Sequence, residues 1–515
     1  MKNITYTVLL LTFILGCSKS NISTNNFISI DRERFVDSKG CEVILNGINH
    51  VTKNPETNFM SQNDSIIFTK FRDYGFNCIR YGLSWAMLEP QPGVYNQKYL
   101  EELDKRIKWA KSNNIRLILD MHQDLFSVKY GNGAPEWVSL DNGLQHLTGE
   151  IWSDSYIISP AVQSCFDNFW NNKSVEDGLG VQDHYIQVWK TIAERYSECD
   201  AIIGYDIMNE PFPGSDGQMV FNSMIEGYVS YMNESDKNIT SDINELWADE
   251  RERIKLLKVL NNKDLFFKIT EYAKPLVDKF EQGKLSAFYQ KARDAIRSVD
   301  KNHILFLEHC YFGNMGIKST FKVPVDEYGK TDNLCAYAPH AYDLVVDTEF
   351  SDVLESNRLE FIFDQIIKSS KERQIPIWLG EWGAFYDINK KYERPANFHK
   401  KIIETNLMGQ AFWSWWDYID KQDFFYSTLS RTYPVYINGR IIKYGNNEVG
   451  FECEWDEKSN DENSCIYLSN ISGIGQIEIE PKSKYTIVPL NNNSIGGHIY
   501  IKSVGGKRFI SIKYK

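Results

Sequence analysis

The chain has no excess of positive charge, no metal-ligand spacing, no internal repeat and no apolar run long enough to cross a membrane. Each absence removes a class of function. Lys and Arg total 57 against 69 Asp and Glu, a formal net charge of -12. Phosphate backbones are held by clustered basic side chains, so a nucleic-acid partner is excluded. The 9 cysteines show no CxxC pair and no Cys/His spacing, so no metal and no other cofactor is expected. What the chain does have is length and aromatic side chains. Its 515 residues suffice for one large domain and a small one. Aromatic residues make up 14%, with 13 Trp and 29 Tyr, a composition that suits stacking on sugar rings without demanding it.

The most apolar segment, Val8–Leu15, follows Lys2 and ends at Gly16-Cys17. It is too short for a permanent spanning helix and reads as an export signal, residues 1–16. Ile14-Leu15-Gly16-Cys17 resembles a bacterial lipobox, in which Cys17 is lipidated and becomes the first mature residue. Ser18 follows it where an inner-membrane lipoprotein would carry Asp, which favours the outer membrane, on its periplasmic or cell-surface face. Plain secretion is the alternative. The polar stretch 17–26 is then a tether. Of the remaining cysteines, Cys78, Cys310 and Cys335 sit in apolar runs and read as small buried hydrophobes. Cys453 and Cys465 flank a polar loop and are candidates for a hairpin disulfide.

From residue 27 to 429 strand-like and helix-like stretches alternate, the mark of a parallel α/β fold. Eight strand candidates are Val43–Ile48, Asn77–Tyr81, Arg116–Met121, Ala201–Met208, His303–Leu307, Leu334–Ala338, Ile377–Leu379 and Gln410–Ser414. Helical stretches between them include Tyr99–Asn113, Tyr185–Arg195 and Ala287–Val299. Eight such units predict a (β/α)8 TIM barrel. The fourth strand is followed by a long insertion, about 215–283, with helix-like runs Glu245–Leu260 and Leu265–Phe280. From 430 to 515 short alternating runs such as Ser464–Leu468 and His498–Lys502 predict a small antiparallel β-sandwich. The short connection near Asp420–Arg431 predicts rigid packing on the barrel rather than a free binding module.

Chemistry concentrates where the strands end. Ile202-Ile203-Gly204-Tyr205-Asp206-Ile207-Met208 runs straight into Asn209-Glu210-Pro211, and Ile377-Trp378-Leu379-Gly380 into Glu381. Two glutamates on separate strand ends are the minimum equipment of a retaining glycosidase, with Glu210 the acid/base and Glu381 the nucleophile. Asn209 is placed to bond the sugar 2-hydroxyl. A nucleophilic carboxylate must stay ionised, and Arg80 and Tyr342 are placed to hold it so. His122 and Asp124 cluster where the third strand leaves the barrel. Trp413, in Phe412-Trp413-Ser414-Trp415-Trp416, offers an apolar floor, and at least one of the three tryptophans is expected in the core.

Taken together, Arg80, His122, Asn209-Glu210, His340-Ala341-Tyr342, Glu381 and Trp413 resemble glycoside hydrolase family 5. Longer motifs resemble its endoglycoceramidase branch: Gly47–Lys53, Met121–Ser127, Gly131–Trp137, Asn209–Gly214, Phe288–Lys291 and Leu429–Pro434. The resemblance implies retaining cleavage between oligosaccharide and ceramide of a glycosphingolipid. The substrate would be drawn from a membrane or micelle, and the chain is expected to act as a monomer. It assigns sugar binding to Lys53, His122, Asp124, Asn209, Tyr342 and Trp413, and support of the nucleophile to Arg80 and His340. His309 stands after Glu308 where the branch tends to have Pro, and the insertion is longer than the branch leads one to expect. Phe266, Phe267 and Tyr272 in that insertion are candidates for a lipid-facing wall. Alternatives are an exo-acting glucosylceramidase or steryl glucosidase, an endo-β-glucanase, and a non-catalytic glycan-binding lipoprotein.

Overall fold

The computed structural model describes residues 26–234, 258–343, 345–346, 356–386, 392–492 and 494–515. The export signal, Cys17, nearly all of the tether and most of the run Glu245–Leu260 lie outside the described residues.

A parallel sheet closes into the predicted barrel. Its strands are Asn46–His50, Cys78–Leu83, Arg116–Met121, Ile202–Asp206, Ile304–Leu307, Cys335–Tyr337 with His340–Ala341, Trp378–Gly383 and Gly409–Trp413. The sixth is broken at Ala338-Pro339 because proline has no N–H to give the ladder. Its first piece pairs with the fifth strand, its second with the seventh, and a bridge from Tyr337 to Ile377 completes the closure. Ile79, Leu117, Leu119 and Leu305 are wholly buried, as in any parallel sheet covered by helices. Helix Gln97–Ser112 illustrates the outer layer. The Asn96 side chain caps its Tyr99 N–H, and Tyr99, Leu100, Leu103, Ile107 and Ala110 form its buried stripe.

The sandwich is present and draws on both ends of the chain. Among the described residues one of its sheets runs, side by side, Ser29–Asp31, Arg34–Val36, Glu42–Val43, Tyr433–Ile437, Ser464–Leu468, Gly497–Ile501 and Tyr485–Pro489. The other sheet is formed by Gly439–Asn447, Gly450–Glu457, Gly506–Tyr514 and Ile474–Glu480. The predicted first barrel strand, Val43–Ile48, is therefore divided. Val43 pairs with Tyr436 of the sandwich, and the barrel ladder begins at Asn46. The hairpin 29–36 covers the N-terminal mouth of the barrel, where Ile28, Phe35 and Val43 join Leu45, Ile118, Ile203, Ile304 and Phe306 in one apolar cluster. The interface is tight. Tyr433 donates to the Gly75 carbonyl at 2.8 Å. Gly75 has φ +83, and a Cβ there would lie 2.4 Å from the Tyr467 ring.

The disulfide expectation is corrected. Cys453 and Cys465 are both free and buried, on strands of different sheets. The insertion begins with helix Asp216–Glu234, packed on helix Lys263–Phe280. Phe266 is in the core, edge-on to Phe361 at 5.2 Å, so it lines no lipid path. Phe267 and Tyr272 are exposed.

Candidate active site

Arg80 organises the C-terminal mouth. It lies inside the barrel with no exposure, and its guanidinium touches four carboxylates. The distances are 3.0 Å to Asp120, 2.7 Å to Asp206, 2.9 Å to Glu308 and 2.6 Å to Glu381. It also donates to Asn209 Oδ1 at 2.9 Å and Asn49 Oδ1 at 3.2 Å. A buried guanidinium is tolerable only when its fork is matched in this way. Burial works against its charge, but Asp120 and Asp206 lead the carboxylates that raise its pKa well above the ordinary value.

Glu381 ends up doubly held. Arg80 Nη1 donates to Oε1, and Tyr342 Oη donates to Oε2 at 2.8 Å. His340, opposite Glu381 in register, lies 3.5 Å from Oε2. The same His340 Nδ1 is 2.9 Å from Glu210 Oε1, and its Nε2 is 3.3 Å from Glu308. Burial disfavours the imidazolium, but Glu308 and Glu381 outweigh it and raise the His340 pKa well above the usual histidine range. One oxygen each of Glu210 and Glu381 and a nitrogen of His340 lie within 4.8 Å of one another.

Glu210 is held by its backbone as well. Its φ is +46, in the left-handed region that a residue with a Cβ enters at a cost of about 1–3 kcal/mol. Its N–H donates to Glu308 Oε2 at 2.7 Å, and Gln123 Nε2 bonds the Asn209 carbonyl at 2.9 Å. These bonds fix the bend that turns the side chain across the mouth.

The remaining predicted residues form a second group. Lys53 Nζ is 2.6 Å from Asp124 Oδ2 and sits 4.8 Å from the Trp413 ring centre. His122 stacks on Trp413 at 5.3 Å, with ring planes 15° apart. Its Nδ1 meets Asp120 at 2.8 Å and its Nε2 faces Asp124 at 3.7 Å. Burial opposes the charge on His122, yet Asp120 and Asp124 push its pKa up to about 9. Burial likewise opposes ionisation of Asp124, but Lys53 and His122 hold its carboxyl far below the usual range. Trp413 Nε1 donates to Tyr386 Oη at 2.5 Å. Trp415 packs edge-on to Phe71 at 4.9 Å. All predicted site residues except Cys17, which lies outside the described residues, converge on this mouth.

Sequence reasoning missed Asp120, Asp206, Glu308 and Asn314. Three of them had a legible signal, a single acid within or ending an apolar strand run, since a buried charge requires a partner. Asn314, on the turn Tyr311–Met315, donates to Glu210 Oε1 at 2.7 Å and had none. Glu210/His340/Glu381 and Asp120/Asp206/Glu308 each have spacing that could hold a cation. In each group a cation of the protein already lies among the carboxylates, His340 in the first and Arg80 in the second, and burial with Glu308 beside it pushes the Asp206 carboxyl well above the usual range.

The signature of Cellulase (glycosyl hydrolase family 5) matches residues 36–419. An endoglycoceramidase of Hydra vulgaris is 29% identical over 247 residues, 41% of this chain and 45% of that protein. A glucosylceramidase of Rhizopus delemar is 28% identical over 179 residues, 28% of this chain and 26% of that protein. The chain thus spans less than half the length of these curated relatives. Endo-glycoceramidase II from Rhodococcus sp., solved as a lactosyl-enzyme intermediate, superposes with a TM-score of 0.70 at 23% identity, over 93% of this chain and 99% of that one. That likeness shows the fold. The matched signature covers most of the chain, including every strand of the barrel, and the chain belongs to glycoside hydrolase family 5.

Proposed function

We propose that the chain is a retaining glycosidase that hydrolyses the β-glycosidic bond between oligosaccharide and ceramide in glycosphingolipids. The observation that carries the reading is the pair Glu210 and Glu381, with oxygens within 4.8 Å. Retaining enzymes need carboxyl groups about 5–5.5 Å apart, and inverting ones need roughly 6.5–9.5 Å to admit a water.

Glu381, held by Arg80 on one oxygen and by Tyr342 on the other, attacks the anomeric carbon. The bond from that carbon to the ceramide oxygen breaks as the glycosyl ester forms, and Glu210 gives its proton to the departing oxygen. Water then enters, Glu210 takes one of its protons, and the ester opens to release the sugar with Glu381 restored. Asn209 uses Oδ1 for Arg80 and one Nδ2 hydrogen for the Gln123 carbonyl, and the other serves the sugar 2-hydroxyl. Trp413 is the platform for the ring, with Lys53, Asp124 and the imidazolium of His122 bonding its hydroxyls. The names of the Hydra and Rhodococcus proteins support the endo-acting glycolipid reading, and the lactosyl-enzyme of the latter supports retention. The lipobox-like Ile14–Cys17 supports an exported lipoprotein, acylated at Cys17 and acting at the outer membrane on substrate in membranes or micelles.

A second reading, exo-acting glucosylceramidase, is favoured by the match to the Rhizopus protein. Incubation with a ganglioside, lactosylceramide, glucosylceramide and a soluble β-glucan, with products separated by mass, decides. Intact oligosaccharide plus ceramide is expected. Glucose from glucosylceramide alone would establish the exo reading, and cleavage of the glucan alone would remove the glycolipid.

A further inference from the structure

A chain of hydrogen bonds leads from Glu210 into the protein through residues that take no part in the mechanism above. Glu210 Oε1 accepts from Asn314 Nδ2 at 2.7 Å as well as from His340. Asn314 Oδ1 lies 2.7 Å from His309 Nε2, and His309 Nδ1 lies 2.7 Å from Tyr337 Oη. Asn314, His309 and Tyr337 are all buried.

The direction of this chain follows from donor chemistry. An amide oxygen only accepts, so Nε2 of His309 carries a hydrogen. Burial, with His340 and Arg373 adding to it, pulls the His309 pKa down to about 3, so the ring is neutral and its Nδ1 is bare. Tyr337 therefore donates to Nδ1, Nε2–H donates to Asn314 Oδ1, and Asn314 donates to Glu210 Oε1. With its oxygen held by His309, the Asn314 amide cannot turn over. The ring is held in its turn by Gly313, where an added Cβ would lie 2.5 Å from Cγ and Nδ1 of His309.

We propose that Asn314 and His309 are positioning residues of Glu210, which lock its Oε1 as an acceptor and confine the transferable proton to Oε2. Two N–H groups converge on Oε1, one from Asn314 and one from the His340 imidazolium. A proton on that oxygen would displace one of them, and among the described residues Oε2 has no protein bond to lose. The proposal rests on the acid/base role given to Glu210 above.

Two consequences separate positioning from simple support of the fold. Protonating the leaving group matters for a ceramide alkoxide and hardly for a dinitrophenolate, so loss of the relay should fall on the first substrate. An N–H donated to a carboxylate favours the charged form over the protonated one, so removing it should move the basic limb of the kcat/KM profile to higher pH. The other titratable groups facing Glu210 are His340, Glu308, Glu381, Tyr342, Lys53 and Tyr156, and the substitutions leave all of them in place.

The test is kcat/KM against pH for lactosylceramide and dinitrophenyl β-lactoside, with wild type, Asn314→Ala, His309→Leu, His309→Gln and Glu210→Ala. Both the ratio of the two substrates and the position of the limb are independent of the fraction folded. For Asn314→Ala and His309→Leu, the loss on lactosylceramide should exceed that on the aryl glycoside by about tenfold, with the basic limb at higher pH. His309→Gln, which restores an N–H toward Asn314, should recover most of the ratio. Equal losses on both substrates with an unmoved limb would overturn the relay. Wild-type discrimination between the substrates in Glu210→Ala would overturn the acid/base reading beneath it.

Discussion

The two ends of the barrel are built from the same strands and solve opposite problems. At the N-terminal end, Ile28, Phe35, Val43, Ile118, Ile203, Ile304 and Phe306 fill the lumen with apolar contacts, with Phe35 stacked on Phe306 at 6.3 Å. At the C-terminal end, Asp120, Asp206, Glu210, Glu308 and Glu381 share the lumen with Arg80, His122 and His340, all buried. Apolar packing stabilises on its own account. Buried charges stabilise little even when paired, and removing one partner is expensive. One end therefore holds the barrel shut, and the other uses part of that stability to hold charges where a sugar can meet them.

Substitutions at the two ends should separate accordingly. The largest effect is expected from Glu381→Gln, which should cut turnover by roughly 10⁴-fold while leaving the thermal melt close to wild type. Retained turnover would remove Glu381 from the mechanism. Arg80→Met comes next. It leaves four carboxylates without their common partner, so it should destabilise by about 3–5 kcal/mol and abolish activity, as urea unfolding and assay would show together. Phe35→Ala should cost about 3 kcal/mol of stability with kcat/KM per folded molecule unchanged. A fall in kcat/KM would mean that the two ends are coupled. The smallest effect is with pH. The folded-state pKa of His122 is raised to about 9 from an ordinary 6.5. Its contribution is fully present below about 6.5 and is lost as pH rises through about 9. The melting temperature should therefore fall between those values, and less so in His122→Gln.

The same division explains what could be read in advance. Strand interiors such as Leu117–Leu119 and Leu305–Leu307 are runs of aliphatic and aromatic residues, and their order alone argues for a closed parallel barrel. The glutamates were legible because each ends such a run. The division of Val43 from Asn46 between two domains was not, since the run is continuous and only pairing with Tyr436 separates it. Strands Gly439–Asn447 and Gly450–Glu457 carry Gly, Asn and Glu, which obscure alternation that burial restores. Cys453 and Cys465 were separated for a related reason. Spacing along a chain sets how far apart two thiols can be, and the assignment of strands to sheets decides which way they point.

Periodicity and strand-end position are local properties, so the order of residues was enough to read the barrel, the sandwich and the candidate catalytic pair. It took the folded molecule to show that one guanidinium serves four carboxylates, that the hairpin 29–36 seals the barrel and joins the sandwich, and that Asn314 and His309 stand behind Glu210. Those are relations between side chains tens to hundreds of residues apart, and closure of the barrel is what brings them within hydrogen-bonding distance.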